Sequence, residues 1–446
     1  MLFYTMSNFQ KQEQFMSNSN TAAAPRRTII RALILTLLFV LAWLCFRLFE
    51  PVLVRSIGWQ PLPAIEEKET MPADAEFVDA EWRELAAPAA KRLRESRATL
   101  ETPALSAAIS VYGKRIWAGA AGLADVENQR NANLDSRFRL GSTSKAVTSV
   151  AIGTLLDAGR LDLELPVQHY IADLGPPLST ITTRQAMSHT AGVRDYGLCF
   201  CFPVWEHLNR RAFANTREAL RVFDLDPLLF APGEGFAYSS YGYNVAGAVL
   251  EAASATPFLE YLQRAVFDPL QMNHSGGDFA DSAVAHRVSF YETKDGKYKP
   301  AFHVDNSIKW PSGGLLSSPS DMVALGNAMI SDGLLSASTR EQLLTPQLLA
   351  DGSENPQGYA LGWRVSDQKK LFNGSVTTRI ISHHGTAVGS TTYFAVLPEF
   401  GLVVSVMMNK GQENIDSLAP QATALAELFV AELQRRAAVT QESAVK

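Results

Sequence analysis

The stretch from Ala32 to Phe46 reads ALILTLLFVLAWLCF and carries no charge, and Ile29–Ile30 and Leu48–Phe49 extend it past the single arginines Arg31 and Arg47. About 21 residues at ~1.5 Å each reach roughly 31 Å, the thickness of a bilayer's hydrocarbon, and an arginine at either end can snorkel to the headgroups. A segment of this kind has three outlets: a membrane anchor, a cleaved signal peptide or a buried core helix. Cleavage is disfavoured because Cys45-Phe46-Arg47-Leu48-Phe49 offers no pair of small residues. A lipid-attachment site ending at Cys45 is disfavoured too, since bulky Trp43 and Leu44 precede the cysteine. The expectation is one transmembrane helix over residues 29–49. Arg26, Arg27 and Arg31 on its amino side predict a cytoplasmic, disordered tail over 1–28, with the rest of the chain extracytoplasmic, periplasmic in a bacterium.

Beyond the anchor there is chain enough for one large core or two, at ~150 residues per domain. Hydrophobic residues at 47% and charged ones at 19% exclude a disordered or collagen-like chain. Net charge is −5, but residues 1–31 carry +3, which leaves −8 on the remainder. So anionic a body lacks the basic footprint of a nucleic-acid binder. The three cysteines, Cys45, Cys199 and Cys201, are too few for a disulfide scaffold or a four-cysteine zinc site. Cys199 and Cys201 read as packed thiols, because a bridge two residues apart would be strained.

Residues 50–79 read as a linker. Pro51, Pro61, Pro63 and Pro72 keep it extended, and Glu66, Glu67, Glu69, Asp74 and Glu76 keep it solvated. One domain is expected over 80–438, with a polar tail over 439–446. Ala104–Tyr112 and Arg115–Ala120 are strand-like about a two-residue turn at Gly113-Lys114. Helical patterns follow over 142–159, 183–188, 216–224, 242–264 and 319–331, then strand-like runs over 359–366, 378–382, 390–397 and 401–408. Leu418, Leu425, Leu428, Phe429 and Leu433 share one stripe of a closing amphipathic helix. Strands at both ends with helices between predict an α+β fold, in which one antiparallel sheet is built from both ends of the domain and flanked by helices, with a helical subdomain inserted.

Several catalytic patterns are absent from the chain: G-x-S-x-G, H-E-x-x-H, H-x-H-x-D and a phosphate loop. No metal or cofactor is expected. Ser-x-x-Lys occurs three times, at Ser142–Lys145, Ser366–Lys369 and Ser443–Lys446, and context separates them. Ser443 lies in the polar tail, and Ser366 opens a charged D-Q-K-K run that reads as a solvated turn. Ser142 follows Phe138-Arg139-Leu140-Gly141 and opens a helix bearing Val147, Val150, Ala151, Leu155 and Leu156. One turn apart on one face, Ser142 and Lys145 can hydrogen-bond. A lysine stripped of water there can take the serine proton, while the helix dipole and the Ser142 N–H favour an oxyanion.

In this context FRLGSTSKAVTSVAIGTLLDAGRLDLELPV resembles the active-serine segment of the serine β-lactamase and penicillin-binding-protein superfamily, in its class C branch. ITTRQAMSHTAGV (181–193), PGEGFAYSSYGYNVAGAVLE (232–251) and ISHHGTAVGSTTYFAVLPE (381–399) are similar to that branch's S-H-T, tyrosine and K/H-T-G elements, in order. VDNSIKWPSGGLLSSPSDMVALGNAM (304–329) and the 383–392 run bring it nearest to LACTB-type β-lactamase-like serine proteins. The likeness spans about residues 80–435 and implies the β-lactamase/transpeptidase-like fold. It also implies Ser142 as acylated nucleophile, Lys145 as proton acceptor and Tyr238 as the relay to the leaving group, a part that needs cations to favour the phenolate. His383 and Gly385 take the first and last places of K-T-G, and the Thr386 N–H would join that of Ser142 at an oxyanion.

Two positions depart from the family pattern. Ser240 stands where Y-x-N has Asn, so an amide grip on the substrate is missing, and His383 stands where K-T-G has Lys, which replaces a permanent cation by a pH-dependent one. Both predict weak recognition of a penicillin's amide and carboxylate. His384 receives no role; Ser353-Glu354-Asn355 reads as a surface loop matching S-x-N by chance; Asp162, His189 and Trp310 read as packing or turn residues. The expectation is a membrane-anchored serine hydrolase forming an acyl-enzyme on a small-molecule or peptide substrate with an ester, amide or peptide bond. The alternatives are a D-alanyl-D-alanine carboxypeptidase, a weak β-lactamase, or a catalytically weak scaffold of the same fold. Oligomeric state leaves no mark in the sequence.

Overall fold

The computed structural model describes residues 23–64, 71–197, 205–411 and 417–445. Of the disordered tail expected over 1–28, residues 23–28 are helical instead, while residues 1–22 and the packed thiols expected at Cys199 and Cys201 lie outside the described residues. Helix α1 (Ala23–Ser56) belongs to one unit and the chain from Gly58 onward to another. Within α1 the 24 residues Arg27–Glu50 are long and apolar enough to cross a membrane. Their exposed side chains run consecutively, from Leu33 and Ile34 through Leu35, Leu37, Leu38 and Phe39 to Val40 and Leu41. Apolar groups therefore surround the helix on every side, where a helix resting on a soluble core would show one stripe.

The second unit is built on a sheet of β1 (Glu76–Val78), β2 (Ala104–Val111), β3 (Lys114–Asp125), β4 (Arg364–Leu371), β5 (Val376–Ala387), β6 (Ser390–Leu397) and β7 (Leu402–Met408). Their spatial order is β4-β5-β6-β7-β2-β3-β1, with the short strand Arg130–Asn131 added to β3, and each of these neighbours is antiparallel. The two ends of the domain join at β7 and β2, where Leu402 faces Val111 and Met408 faces Leu105. Around the sheet stand α2 (Ala86–Thr99), α3 (Ser144–Asp157), α4 (Ser240–Ser254), α5 (Pro319–Asn327) and α6 (Leu418–Val445).

Strands β2 and β7 are buried along their whole length because both faces are covered. On one face Leu93 of α2 and Leu425 and Phe429 of α6 pack with Ile109, Trp117 and Val404. On the other, Met322 of α5 and Val147, Val150 and Leu155 of α3 share a cluster with Phe394 and Val403. A strand covered on both sides reads as an unbroken apolar run, which is why the central strands stand out in the sequence while edge strand β4 does not. The α+β architecture follows the expectation, and so does the stripe of α6.

Local differences have local causes. The first hairpin turns at Tyr112-Gly113, one residue earlier than expected, with both residues at positive φ. The helix expected over 242–264 is two, because Ala255 is left-handed and Pro257 opens the next helix, Phe258–Leu262; proline cannot continue the ladder. Ser366–Lys369 is a bulge within β4 rather than a turn. The expected linker also enters the body, since Gln60-Pro61 pairs with Lys297-Tyr298 and Glu76–Val78 is an edge strand of the sheet. Helix α6 runs to Val445, through the expected tail.

Candidate active site

A 3-10 turn, Gly141–Thr143, leads into α3 and carries Ser142. This turn is pressed against β5. Gly141 has φ 53°, and a Cβ there would come within 2.6 Å of the Thr386 backbone. A Cβ on Gly385 would lie 1.9 Å from the Leu140 carbonyl and 2.3 Å from Thr392 Oγ1. Both glycines are thus required for turn and strand to touch. The hydroxyls of Thr143 and Thr392 close the seam at 2.8 Å, and Thr392 also donates to Leu140 O.

One turn on from Ser142, at the start of α3, Lys145 is fully buried. Its Nζ lies 3.3 Å from Ser142 Oγ and donates to Ser312 O at 2.8 Å. The Ser312 carbonyl is held in turn, since Ser312 Oγ donates to Asn244 Oδ1, Asn244 Nδ2 donates to Ile308 O, and Thr148 donates to Pro311 O. Segment 307–313, α3 and α4 are so tied around the amine. Another lysine of that segment, Lys309, is also buried and donates to His207 O; burial and then the Arg139 charge push it down to about 8.

Tyr238 precedes α4. Ser239 caps that helix, its Oγ accepting from the Gly242 N–H and donating to Arg194 O, and the Ser240 N–H donates to Asp195 Oδ1. Lys145 Nζ sits 4.9 Å from the Tyr238 ring centroid and the Arg364 guanidinium carbon 5.4 Å. His189, expected to serve packing or a turn, packs directly on this tyrosine with ring centroids 4.2 Å apart. It is buried and accepts the Ser239 N–H at Nδ1.

The expected cation at His383 is corrected by the geometry. His383 is fully buried, and its Nδ1 lies 2.6 Å from the His384 carbonyl, an acceptor, so Nδ1 bears the proton. Nε2 is then left to accept from the Tyr359 hydroxyl at 2.9 Å. Burial first, then the charges of Arg364 and Lys145, hold His383 well below the ordinary imidazole range. Burial, then Lys145 and Arg364, do the same to His189. His383 is a neutral partner of Tyr359, on a tyrosine that the sequence reading passed over. Asn355 is responsible for that tyrosine's placement: its side chain accepts the Tyr359 N–H and donates to Tyr359 O and Gln347 O. The S-x-N match is therefore a clamp at its Asn, in a loop otherwise on the surface.

The geometry thus brings Ser142, Lys145, Tyr238, Gly385 and Thr386 to one locus, seats Ser240 at the start of α4, and puts His383 behind Tyr359. Tyr359, Ser312, Asn244 and Arg364 were missed. Ser312 and Asn244 fall inside segments 304–329 and 232–251, whose resemblance was their available signal.

The two buried neutral histidines set a pH dependence. Each binds a proton in the unfolded chain below about pH 6.5 and resists binding one when folded, so stability is full above that pH and falls below it. The loss should approach about 1.4 kcal/mol per pH unit for each group, or about 2.7 for both. His274, raised by its hydrogen bond to Asp321, contributes the opposite slope, but only above its unfolded value. Urea unfolding of residues 58–446 at pH 7.0, 6.0 and 5.0 measures this, and a flat profile would contradict the neutral assignments.

A family model described as Beta-lactamase matches residues 89–428. The human "Serine beta-lactamase-like protein LACTB, mitochondrial" is 29% identical over 412 residues, spanning 71% of this chain and 75% of the relative. "Esterase EstB" of Burkholderia gladioli is 32% identical over 184 residues, 38% of this chain and 46% of that protein. Among solved structures, D-amino acid amidase from Ochrobactrum anthropi SV3, complexed with L-phenylalanine amide, superposes with a TM-score of 0.64 at 19% identity, covering 79% of this chain and 99% of that one.

Proposed function

The chain belongs to the beta-lactamase family of serine hydrolases, and from that premise we propose that it is a membrane-anchored enzyme that opens ester, amide or peptide bonds through an acyl-enzyme on Ser142. The observation that carries this reading is the buried Lys145 amine, 3.3 Å from Ser142 Oγ and oriented by the Ser312 carbonyl. In this reading Lys145 takes the hydroxyl proton as Oγ attacks the substrate carbonyl. The Ser142 and Thr386 N–H groups receive the oxyanion, where fixed donors stabilise the transition state without reorganising. Tyr238, facing Arg364 and the Lys145 that has just taken the proton, passes that proton to the leaving group, and in the second half-reaction it draws one from water and returns it to Ser142 Oγ. The relatives named as an esterase and an amidase support this reaction class. Ser240 and the buried His383 support esters and peptides ahead of β-lactams. The test is the mass of the protein after incubation with a panel of acyl donors: an adduct confined to Ser142 supports the reading, and its absence with every donor points to a scaffold.

The anchor reading rests on Arg27–Glu50 and on the arginines before it. We place residues 1–28 in the cytoplasm, 29–49 in the membrane and the hydrolase domain outside. An alkaline phosphatase fusion after residue 80 should be active in bacterial cells. An inactive fusion, paired with an active cytoplasmic reporter at the same joint, would reverse the orientation.

A further inference from the structure

The short helix Thr183–Met187 ends in a turn that suits glycine. Ser188 closes the helix, the Thr190 N–H bonds back to Gln185 O at 3.0 Å, and the residue between them is left-handed, with φ 63°. Glycine takes that conformation at the least cost and is the usual residue of such a turn. Here the residue is His189, and it is buried. A bulky side chain held in the left-handed region, where a smaller one would sit more easily, means that the side chain itself is what the position needs.

The neighbouring segment shows what the conformation achieves. The His189 carbonyl accepts the Ala237 N–H at 2.9 Å, and its ring Nδ1 accepts the Ser239 N–H at 3.1 Å. Tyr238 lies between these two anchors, and the imidazole packs on its phenol with ring centroids 4.2 Å apart. Main chain and side chain of one residue thus hold the tyrosine at both flanks and on one face. In the neutral ring Nδ1 accepts, so the proton sits on Nε2, the tautomer opposite to that of His383. The imidazole is held in its turn by Phe236, Tyr243 and Tyr359, whose ring centroids lie 5.9, 5.5 and 4.5 Å from its own.

We propose that His189 is a positioning residue for Tyr238, fixing the phenol in the place from which its hydroxyl hands a proton to the leaving group. This deepens the hydrolase reading and rests on it. No proton passes through the imidazole and no step of the reaction changes: the bond to the leaving oxygen breaks as that oxygen takes the tyrosine's proton, and His189 supplies the geometry. Misplacing a reacting group by about 1 Å can cost roughly a hundredfold, so a clamp that never touches substrate still sets the rate.

Two acetate esters test it, because their leaving groups differ in their need for that proton. Benzyl acetate expels an alkoxide that must be protonated, 4-nitrophenyl acetate a stable phenolate, and kcat/KM reports acylation by the same acetyl group in both. In His189→Gly, which suits the turn and removes the ring, the benzyl-to-nitrophenyl ratio should fall about ten- to a hundredfold, part of the ~10²–10⁴ that a positioned proton donor supplies. His189→Asn should recover some of that ratio, since asparagine tolerates the left-handed turn and its Oδ1 can take the Ser239 N–H. In a Tyr238→Phe background the proton donor is gone, so His189→Gly should lower the ratio no further. Equal losses on both esters in a folded His189→Gly overturn the proposal and leave the histidine a packing residue. So does a further fall of the ratio in the Tyr238→Phe background. Where circular dichroism shows His189→Gly unfolded, His189→Asn decides: its ratio should lie at least about threefold below wild type, and an unchanged ratio overturns the proposal. Turnover of neither ester by wild type together with no adduct on Ser142 overturns the hydrolase reading itself, and this proposal with it.

Discussion

Ser142→Ala should lower turnover of the best ester by on the order of 10⁴ or more, about 5 kcal/mol of transition-state stabilisation, while leaving the fold intact. The nucleophile, its base and the oxyanion donors act as a unit, so Lys145→Met should cost nearly as much by itself, and the double variant little more. Ser142 is partly exposed on a turn whose packing depends on Gly141, Thr143 and Gly385, so deleting one hydroxyl should move stability by less than about 1 kcal/mol. A fluorophosphonate probe should label wild type and leave Ser142→Ala blank. Equal labelling of the two, at Ser366 or elsewhere, would remove Ser142 from its role. Ser366 sits on the bulge of β4, with exposed Asp367 and Gln368 beside it, and Lys369 is only half-buried there where Lys145 is fully buried.

His383→Lys should fail to restore the family's cation and should instead unfold the site. At that position the side chain is fully buried, with a carbonyl at one nitrogen and the Tyr359 hydroxyl at the other. A lysine there buries an ammonium without a counter-charge, near the Lys145 and Arg364 charges that already act on His383. The expected loss is about 3–5 kcal/mol at pH 7, the scale for an uncompensated buried charge. Burial holds the new amine's proton affinity below its unfolded value, so the penalty applies at lower pH and shrinks as pH rises toward 10. Urea midpoints at pH 7 and 9.5 read both effects. A variant as stable as wild type and faster on anionic esters would show that the side chain at 383 faces the substrate.

The contrast between these two residues shows what a linear sequence carries. Ser142 and Lys145 are one helical turn apart, so local geometry alone brings them together, and the apolar pattern of α3 says which face is dry. His383 takes its character from Tyr359, which is placed by Asn355 and by the pairing of β4 with β5. No spacing rule links those positions, so the histidine could be located on its strand but not assigned a charge. Lys145 poses a different difficulty, because its tighter partner is the main-chain carbonyl of Ser312, and a carbonyl carries no side-chain signature. Arg364 lay within a run read simply as strand, since an edge strand with a bulge shows no clean alternation. The central strands and the closing helix were legible because burial on both faces, or along one stripe, writes itself into residue type.

The union of β2 with β7 has a consequence for how the protein comes into being. Val111 must wait for Leu402, about 290 residues later, before its edge is paired. At ~5–20 residues per second of synthesis, that wait is roughly 15–60 s. During it a largely apolar strand has its own hairpin on one side and an open ladder on the other, the kind of edge that recruits other chains. Such distant pairing also makes folding slow once the partner arrives. A nascent chain of this protein therefore has to be kept from self-association until its last strand emerges, and a carboxyl-terminal truncation that removed β7 together with α6 would leave β2 permanently without its mate.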